Sequence, residues 1–176
     1  MKTKTGSVKE SARPAVDVKA PTRFNLHKIL LPTDFSEQSR KATQYAIAFA
    51  RQFGAVIVPL HVVEPLPYNA DFGYGSVTLQ QPNELLLTKA REHLKGLSAD
   101  HSGELFAPPL LRSGTPHHEI AMCAREIAAD LIIIATHGYS GLDHVLLGSV
   151  AERVVRHAPC PVLIVREKEH EFIAAS

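Results

Sequence analysis

A chain of 176 residues, 45% hydrophobic and 21% charged, has the length and balance of one globular domain with a single core. Its formal charge of +1 supplies no general field for nucleic acid or an anionic membrane, and the absence of tryptophan leaves few stacking platforms for bases. No run of apolar residues is long enough to span a bilayer, and the lysine-containing start is not followed by a signal-peptide core, so the expectation is a cytoplasmic protein without membrane or nucleic-acid partners.

Residues 1–23 are rich in Lys, Thr, Ser and Pro without sustained periodicity and read as a disordered arm before a domain spanning 24–166. The first strand is His27–Leu31. Pro32-Thr33-Asp34-Phe35-Ser36 then turns into a helix over Glu37–Phe53, closed by Gly54, with Ser36 or Asp34 as cap and Asp34/Glu37 at capping-box spacing. The second strand, Ala55–Val62, contains Pro59, which removes a ladder N–H and conflicts with a place inside a sheet. Val63–Pro82 reads as a long connection, a surface insertion or a lid.

A second helix over about Asn83–Ser98 would bury Leu85, Leu86, Ala90, His93, Leu94 and Leu97. The third strand, Glu104–Leu111, includes Pro108-Pro109 and therefore suits a sheet edge. Thr115 and Pro116 open a third helix that runs to Ala129, with Ile120, Cys123, Ala124 and Ile127 inward. Leu131–Ala135 is an unbroken apolar strand. The glycine-punctuated stretch behind it, Thr136 to Gly148, leads into a helix over Ser149–His157, where Ser149 and Glu152 have capping-box spacing. Val162–Val165 is the last strand, and 167–176 form a loose tail. Cys123 and Cys160 read as reduced, partly buried thiols.

Alternating strands and helices predict a three-layer α/β/α domain around a five-stranded parallel sheet, whose ligands bind beyond the C-terminal strand ends. If the first and fourth strands are neighbours, the Asp34 loop and the Gly138–Ser149 segment become two walls of one crevice. The second of these could accommodate an anion at a helix N-terminus, or be an ordinary turn and cap. Thr136 and His137 stand at the strand exit. No P-loop, dinucleotide glycine fingerprint, G-x-S-x-G elbow or H-E-x-x-H pattern is present. Catalytic residues are therefore not assigned, and His117-His118-Glu119 reads as the decorated first turn of a helix rather than a metal site.

Several separated segments resemble the universal stress protein family in its nucleotide-binding branch. They are Ile29-Leu30-Leu31-Pro32-Thr33-Asp34-Phe35-Ser36, Leu60-His61-Val62-Val63, Gly114-Thr115-Pro116, Ala135-Thr136-His137-Gly138, Leu146 to Val154, and Cys160 to Val165. The resemblance implies strand order 3-2-1-4-5 (the adenine nucleotide alpha hydrolase-like arrangement) and a role as a stress-response sensor or regulator binding ATP, possibly ADP or AMP. It places Pro32, Thr33 and Asp34 at the adenosine, with the Val62 backbone against adenine. Gly138, Gly148 and Ser149 would hold the phosphates, with Ala135 near their path, and Ile134, Thr136, His137 and Val150 complete the nucleotide site; Mg or Mn would be held mainly by the phosphates themselves. Ala135 stands where the family pattern has its first glycine. A homodimer through Val162–Val165 is implied, and a regulatory protein partner is possible. Slow ATP hydrolysis and a nucleotide-independent interaction module are the alternatives; the absence of a P-loop lysine, an evident general base and an arginine finger argues for binding over turnover.

Overall fold

The computed structural model describes residues 23–71, 76–81, 84–99, 103–136, 148–166 and 173. Five strands, β1 (Lys28–Pro32), β2 (Val56–Val63), β5 (Leu110–Ser113), β6 (Leu131–Ala135) and β7 (Val162–Val165), form one parallel sheet. Its order is β5-β2-β1-β6-β7, which is 3-2-1-4-5 when only these strands are counted. After β2 the chain forms an antiparallel pair, β3 (Leu66–Asp71) and β4 (Ser76–Gln81). The connection expected over Val63–Pro82 thus contains an antiparallel strand pair.

Strand alternation sorts the core into two layers. Ile29, Leu31 and Ile133 meet Ala42, Tyr45, Ala46 and Ala50 of α1 (Glu37–Phe53), and Leu97 of α2 (Glu84–Ala99) packs on the same cluster. Leu30, Leu60, Ile132 and Ile134 meet Ile120, Cys123 and Ala124 of α3 (Pro116–Glu126) and Ala151 and Val154 of α4 (Ser149–His157). Alanines at the α1 contact let its backbone lie close to the sheet. Gly54 ends that helix at φ 70°, a left-handed conformation that costs a side-chain-bearing residue free energy.

Pro59 lies in an interior strand after all, opposite Leu31 of β1. Along β2, Ile57 and Val63 use their carbonyls toward the β5 side, accepting from Ala107 and Gly114, whereas Leu60 uses its carbonyl toward β1, accepting from Thr33. Odd positions therefore face β5, and so does the missing N–H of Pro59. On that side the pairing passes from Ile57 opposite Phe106 to Leu60 opposite Leu110, so the outer segment carries one extra residue. This is a bulge, and Pro108-Pro109 occupy it. The prolines of both strands thus meet where the ladder is already interrupted. The predicted strand over Glu104–Leu111 is corrected accordingly: Gly103–Leu105 is a 3-10 turn, Phe106 makes a single bridge, and the strand proper begins at Leu110.

Three smaller expectations also change. Ser36 alone caps α1, accepting from the Ser39 amide at 3.2 Å, while Asp34 accepts from the Ser36 amide and hydroxyl; the Asp34/Glu37 box is absent because Asp34 precedes the cap by two residues. Gly148, not Ser149, is the N-cap of α4, so Glu152 lies beyond the box position and pairs with Arg156 instead. In α2 only Ala90 and Leu94 are fully buried; Leu85 and Leu86 are 62% and 40% exposed, and His93 is exposed with its ring edge on Phe35.

At the opposite end of the sheet, Asp130 fastens the start of β1 by accepting from the His27 and Lys28 amides at 2.8 and 2.9 Å. Those bonds, the His27 amide first, hold its carboxyl below the usual aspartate range. A depressed value stabilises the fold above the ordinary aspartate range and ceases to do so as pH falls through the lower folded value. Asp130→Asn is therefore expected to destabilise the protein by about 1 kcal/mol at neutral pH and to lose less stability than the parent below about pH 4. Urea midpoints at both pH values check this; parallel losses for the two proteins would contradict it.

Candidate functional site

The C-terminal ends of β1, β2 and β6 open into a cavity of about 360 Å³. Pro32, Thr33 and Asp34 come from the β1 exit, Val62 from β2, Ile134, Ala135 and Thr136 from β6, and Gly148, Ser149 and Val150 from the start of α4; all ten line it. The remaining two candidates, His137 and Gly138, lie outside the described residues. The crossover between β1 and its two neighbours brings these distant segments together.

A chain of hydroxyls holds the β1 exit in shape. Thr33 Oγ1 donates to Ser39 Oγ at 3.1 Å, Ser39 Oγ donates to the Ser36 carbonyl, and Ser36 Oγ donates to Asp34 Oδ1 at 2.6 Å. Thr33 and Ser39 are buried and Asp34 is half-buried. Phe35 sits at φ 65°, uncommon for a residue with a side chain. Its ring is stacked on His61 at 4.5 Å between centroids, and His61 Nδ1 lies 2.7 Å from the Thr33 carbonyl. Because a carbonyl only accepts, Nδ1 carries the hydrogen. His61 therefore ties β2 to the strained loop that presents Asp34.

The β6 exit is closed differently. Buried Thr136 donates its amide to Val165, and its carbonyl accepts from the Gly148 amide at 2.8 Å, which returns the chain to the sheet after the 137–147 segment. The Gly148 amide is thus already engaged. The first bond into α4 runs from the Glu152 amide to the Gly148 carbonyl, leaving the amides of Ser149, Val150 and Ala151 with no acceptor inside the helix. Among the described residues no side chain caps this end. Helix N-termini of this kind accept anions. Ala135 lines the cavity as the last residue of β6, and its φ is not positive; the backbone here does not demand a glycine.

Seven lining residues escaped the sequence-based assignment: Ser39, Leu60, His61, Glu64, Pro116, Ile120 and Ala151. His61 and Glu64 could have been found as the strand-exit neighbours of Val62. Pro116 and Ile120 could not, since α3 reaches the cavity only by crossing the sheet to connect β5 with β6. Leu60, Pro116, Ile120 and Ile134 give the cavity an apolar wall, while Asp34, His61 and Glu64 mark its polar side. An apolar slot beside hydroxyls, a carboxylate and a helix N-terminus can hold a flat ring, a polyhydroxylated linker and an anionic end. Among the described residues no group of three His, Cys, Asp or Glu side chains is placed to hold a metal.

Neither free thiol belongs to this site. Cys123 is fully buried and Cys160 half-buried, and burial raises both thiols above their usual range, which keeps them protonated and unreactive at neutral pH. Arg112 outside the cavity pairs with Glu126 and lies 3.6 Å from Glu119. Glu119 in turn packs against Gly114, where an added Cβ would stand 2.9 Å from its side chain.

Residues 25–166 match the Universal stress protein family. Universal stress protein MJ0531 of Methanocaldococcus jannaschii is 39% identical over 150 residues, covering 84% of this chain and 86% of that protein. The solved structure of MJ0577, a universal stress protein of the same organism, superposes with a TM-score of 0.66 at 29% identity, covering 82% of this chain and 98% of that one. A universal stress protein solved in complex with cAMP shares the fold with a TM-score of 0.59 at 20% identity, over 81% of this chain and 98% of that one. With its 3-2-1-4-5 parallel sheet and a family match over residues 25–166, the chain belongs to the universal stress protein family.

Proposed function

We propose that this chain is a cytoplasmic, homodimeric regulator that binds an adenine nucleotide, ATP or one of its shorter relatives, in the cavity at the β1/β6 crossover. The observation that supports this most is the convergence of a strand-exit carboxylate, an apolar slot and three helix-start amides without an acceptor inside the helix on one cavity. Adenine would lie along Val62, Pro116 and Ile120, the ribose hydroxyls would bond Asp34, and the phosphates would meet the amides of Ser149, Val150 and Ala151. Mg or Mn, arriving with the phosphates, would neutralise their charge. None of the cavity's described side chains supplies a fixed cation to stabilise charge in a transferring phosphoryl group, so the reading is of a binding protein. No helix among the described residues is long and apolar enough to cross a membrane.

The test is to denature protein purified from cells and identify any nucleotide released, followed by calorimetric titration of the emptied protein. A stoichiometric adenine nucleotide, or micromolar binding on titration, is the expected result; neither carried nucleotide nor measurable binding would defeat the proposal.

The homodimer has its own physical argument. Among the described residues β7 pairs only with β6, so no described strand covers its outer edge, and Val162, Leu163 and Ile164 remain half-buried with no proline or charge in the strand. Such edges invite pairing with a second strand. Sedimentation of the parent is expected to give a dimer at micromolar concentration and of Ile164→Lys a monomer. A monomeric parent would contradict the assignment.

A further inference from the structure

The charges around the cavity are an uneven match for a nucleotide. Among its described lining residues the ionisable side chains are Asp34, His61 and Glu64, and none is lysine or arginine. Arginines on neighbouring elements are engaged away from the cavity: Arg156 with Glu152 at 2.8 Å, and Arg112 with Glu126 and Glu119. Arg153 is exposed and does not line the cavity.

What remains for an anion is the start of α4, whose dipole is equivalent to about half a positive charge. Two carboxylates on the same cavity oppose it. A phosphate monoester brings about −1.5 to −2 at neutral pH, and each further phosphate about one more negative charge. The amides of Ser149, Val150 and Ala151 can answer the first phosphate by hydrogen bonding; for the later ones the described walls offer no counter-charge.

We infer that the cavity grades adenosine phosphates by charge, taking monophosphates unaided and admitting the triphosphate only as its complex with a divalent cation. This rests on the nucleotide reading proposed above. It also reverses the usual salt response. Where lysines and arginines hold phosphates, salt weakens binding; here, in the absence of divalent cations, salt screens repulsion between ATP and the carboxylates and strengthens it.

The experiment is calorimetric titration of the full chain with AMP and with ATP, each in chelator and in excess magnesium, at two salt concentrations. In chelator, ATP is expected to bind at least about tenfold more weakly than AMP and to tighten as salt rises. Magnesium is expected to tighten ATP at least about tenfold and AMP less than about threefold. Glu64→Lys, which exchanges a lining carboxylate for a cation, should narrow the AMP-to-ATP gap in chelator by at least about threefold, with Glu64→Gln moving it less in the same direction. ATP as tight as AMP in chelator would overturn this inference and leave the nucleotide reading standing. A folded protein that binds neither nucleotide in either condition would overturn both.

Discussion

Gly148→Asp is expected to weaken adenine-nucleotide binding at least about 100-fold while leaving the fold slightly more stable, by about 0.5 kcal/mol. Gly148 is the N-cap of α4, with φ −64° and ψ 148°, a conformation open to any residue, and among the described residues no side chain caps this end. Aspartate is among the preferred N-caps; its carboxylate would accept from the second or third helical amide, Val150 or Ala151, and would complement the helix dipole. Those amides are two of the three proposed for the phosphates. The same carboxylate would thus stabilise the helix, occupy the anion's donors and repel the anion. Thermal unfolding and titration of the variant check the two signs together. A variant that binds like the parent would place the phosphates elsewhere, and a variant that unfolds early would refute the reading of α4 as an uncapped helix.

The second large effect concerns the scaffold. Leu30→Ala in β1 is expected to cost about 3 kcal/mol, because Leu30 is fully buried in the central strand, opposite Val58 of β2 and Ile132 of β6 and in one cluster with residues of α3 and α4. Strands on both sides leave little room for the backbone to relax into the hole. Urea unfolding followed by circular dichroism measures it, and a loss below about 1 kcal/mol would mean the sheet collapses around the site more freely than its packing suggests.

Much of the fold was legible because most elements announce themselves locally. The α1 bounds follow from Ser36, the small-residue face and Gly54; β6 and β7 follow from unbroken apolar runs between polar or glycine-containing segments. Pro59 and Pro108-Pro109 were read correctly as ladder breakers but separately, one as a conflict and the other as an edge signal. Their mutual placement is a fact of register, which depends on how two strands 50 residues apart slide against each other. The hairpin β3–β4 was hidden by Pro65, Pro67, Gly73 and Gly75, which read as loop punctuation. Leu85 and Leu86 misled because helical periodicity marks an apolar face without saying how far along the helix a neighbour extends.

The candidate site divides along the same line. Asp34, Thr136 and Gly148 could be nominated from their strand-exit positions and spacing, and the structure brings them to one cavity. His61, Glu64, Pro116 and Ile120 join them only through topology. Ala135, which stands where the family pattern has its first glycine, closes a regular strand opposite Val165, where an alanine costs no backbone strain. The β1 loop also proves more constrained than a cap reading suggests, since Phe35 keeps its unusual backbone under a ring stack with His61 and a bond from His61 to the Thr33 carbonyl.

The central claim is that an adenine nucleotide occupies this cavity with its phosphates on the start of α4, and backbone amide NMR during nucleotide titration tests it most directly. The account predicts saturable shifts concentrated at Thr33, Asp34 and Val62 and at the amides of Ser149, Val150 and Ala151, with little change at Asp130 or Lys28 at the far end of the sheet. Saturable binding whose shifts bypass Ser149 to Ala151, or no shifts at all in a folded protein, would contradict it.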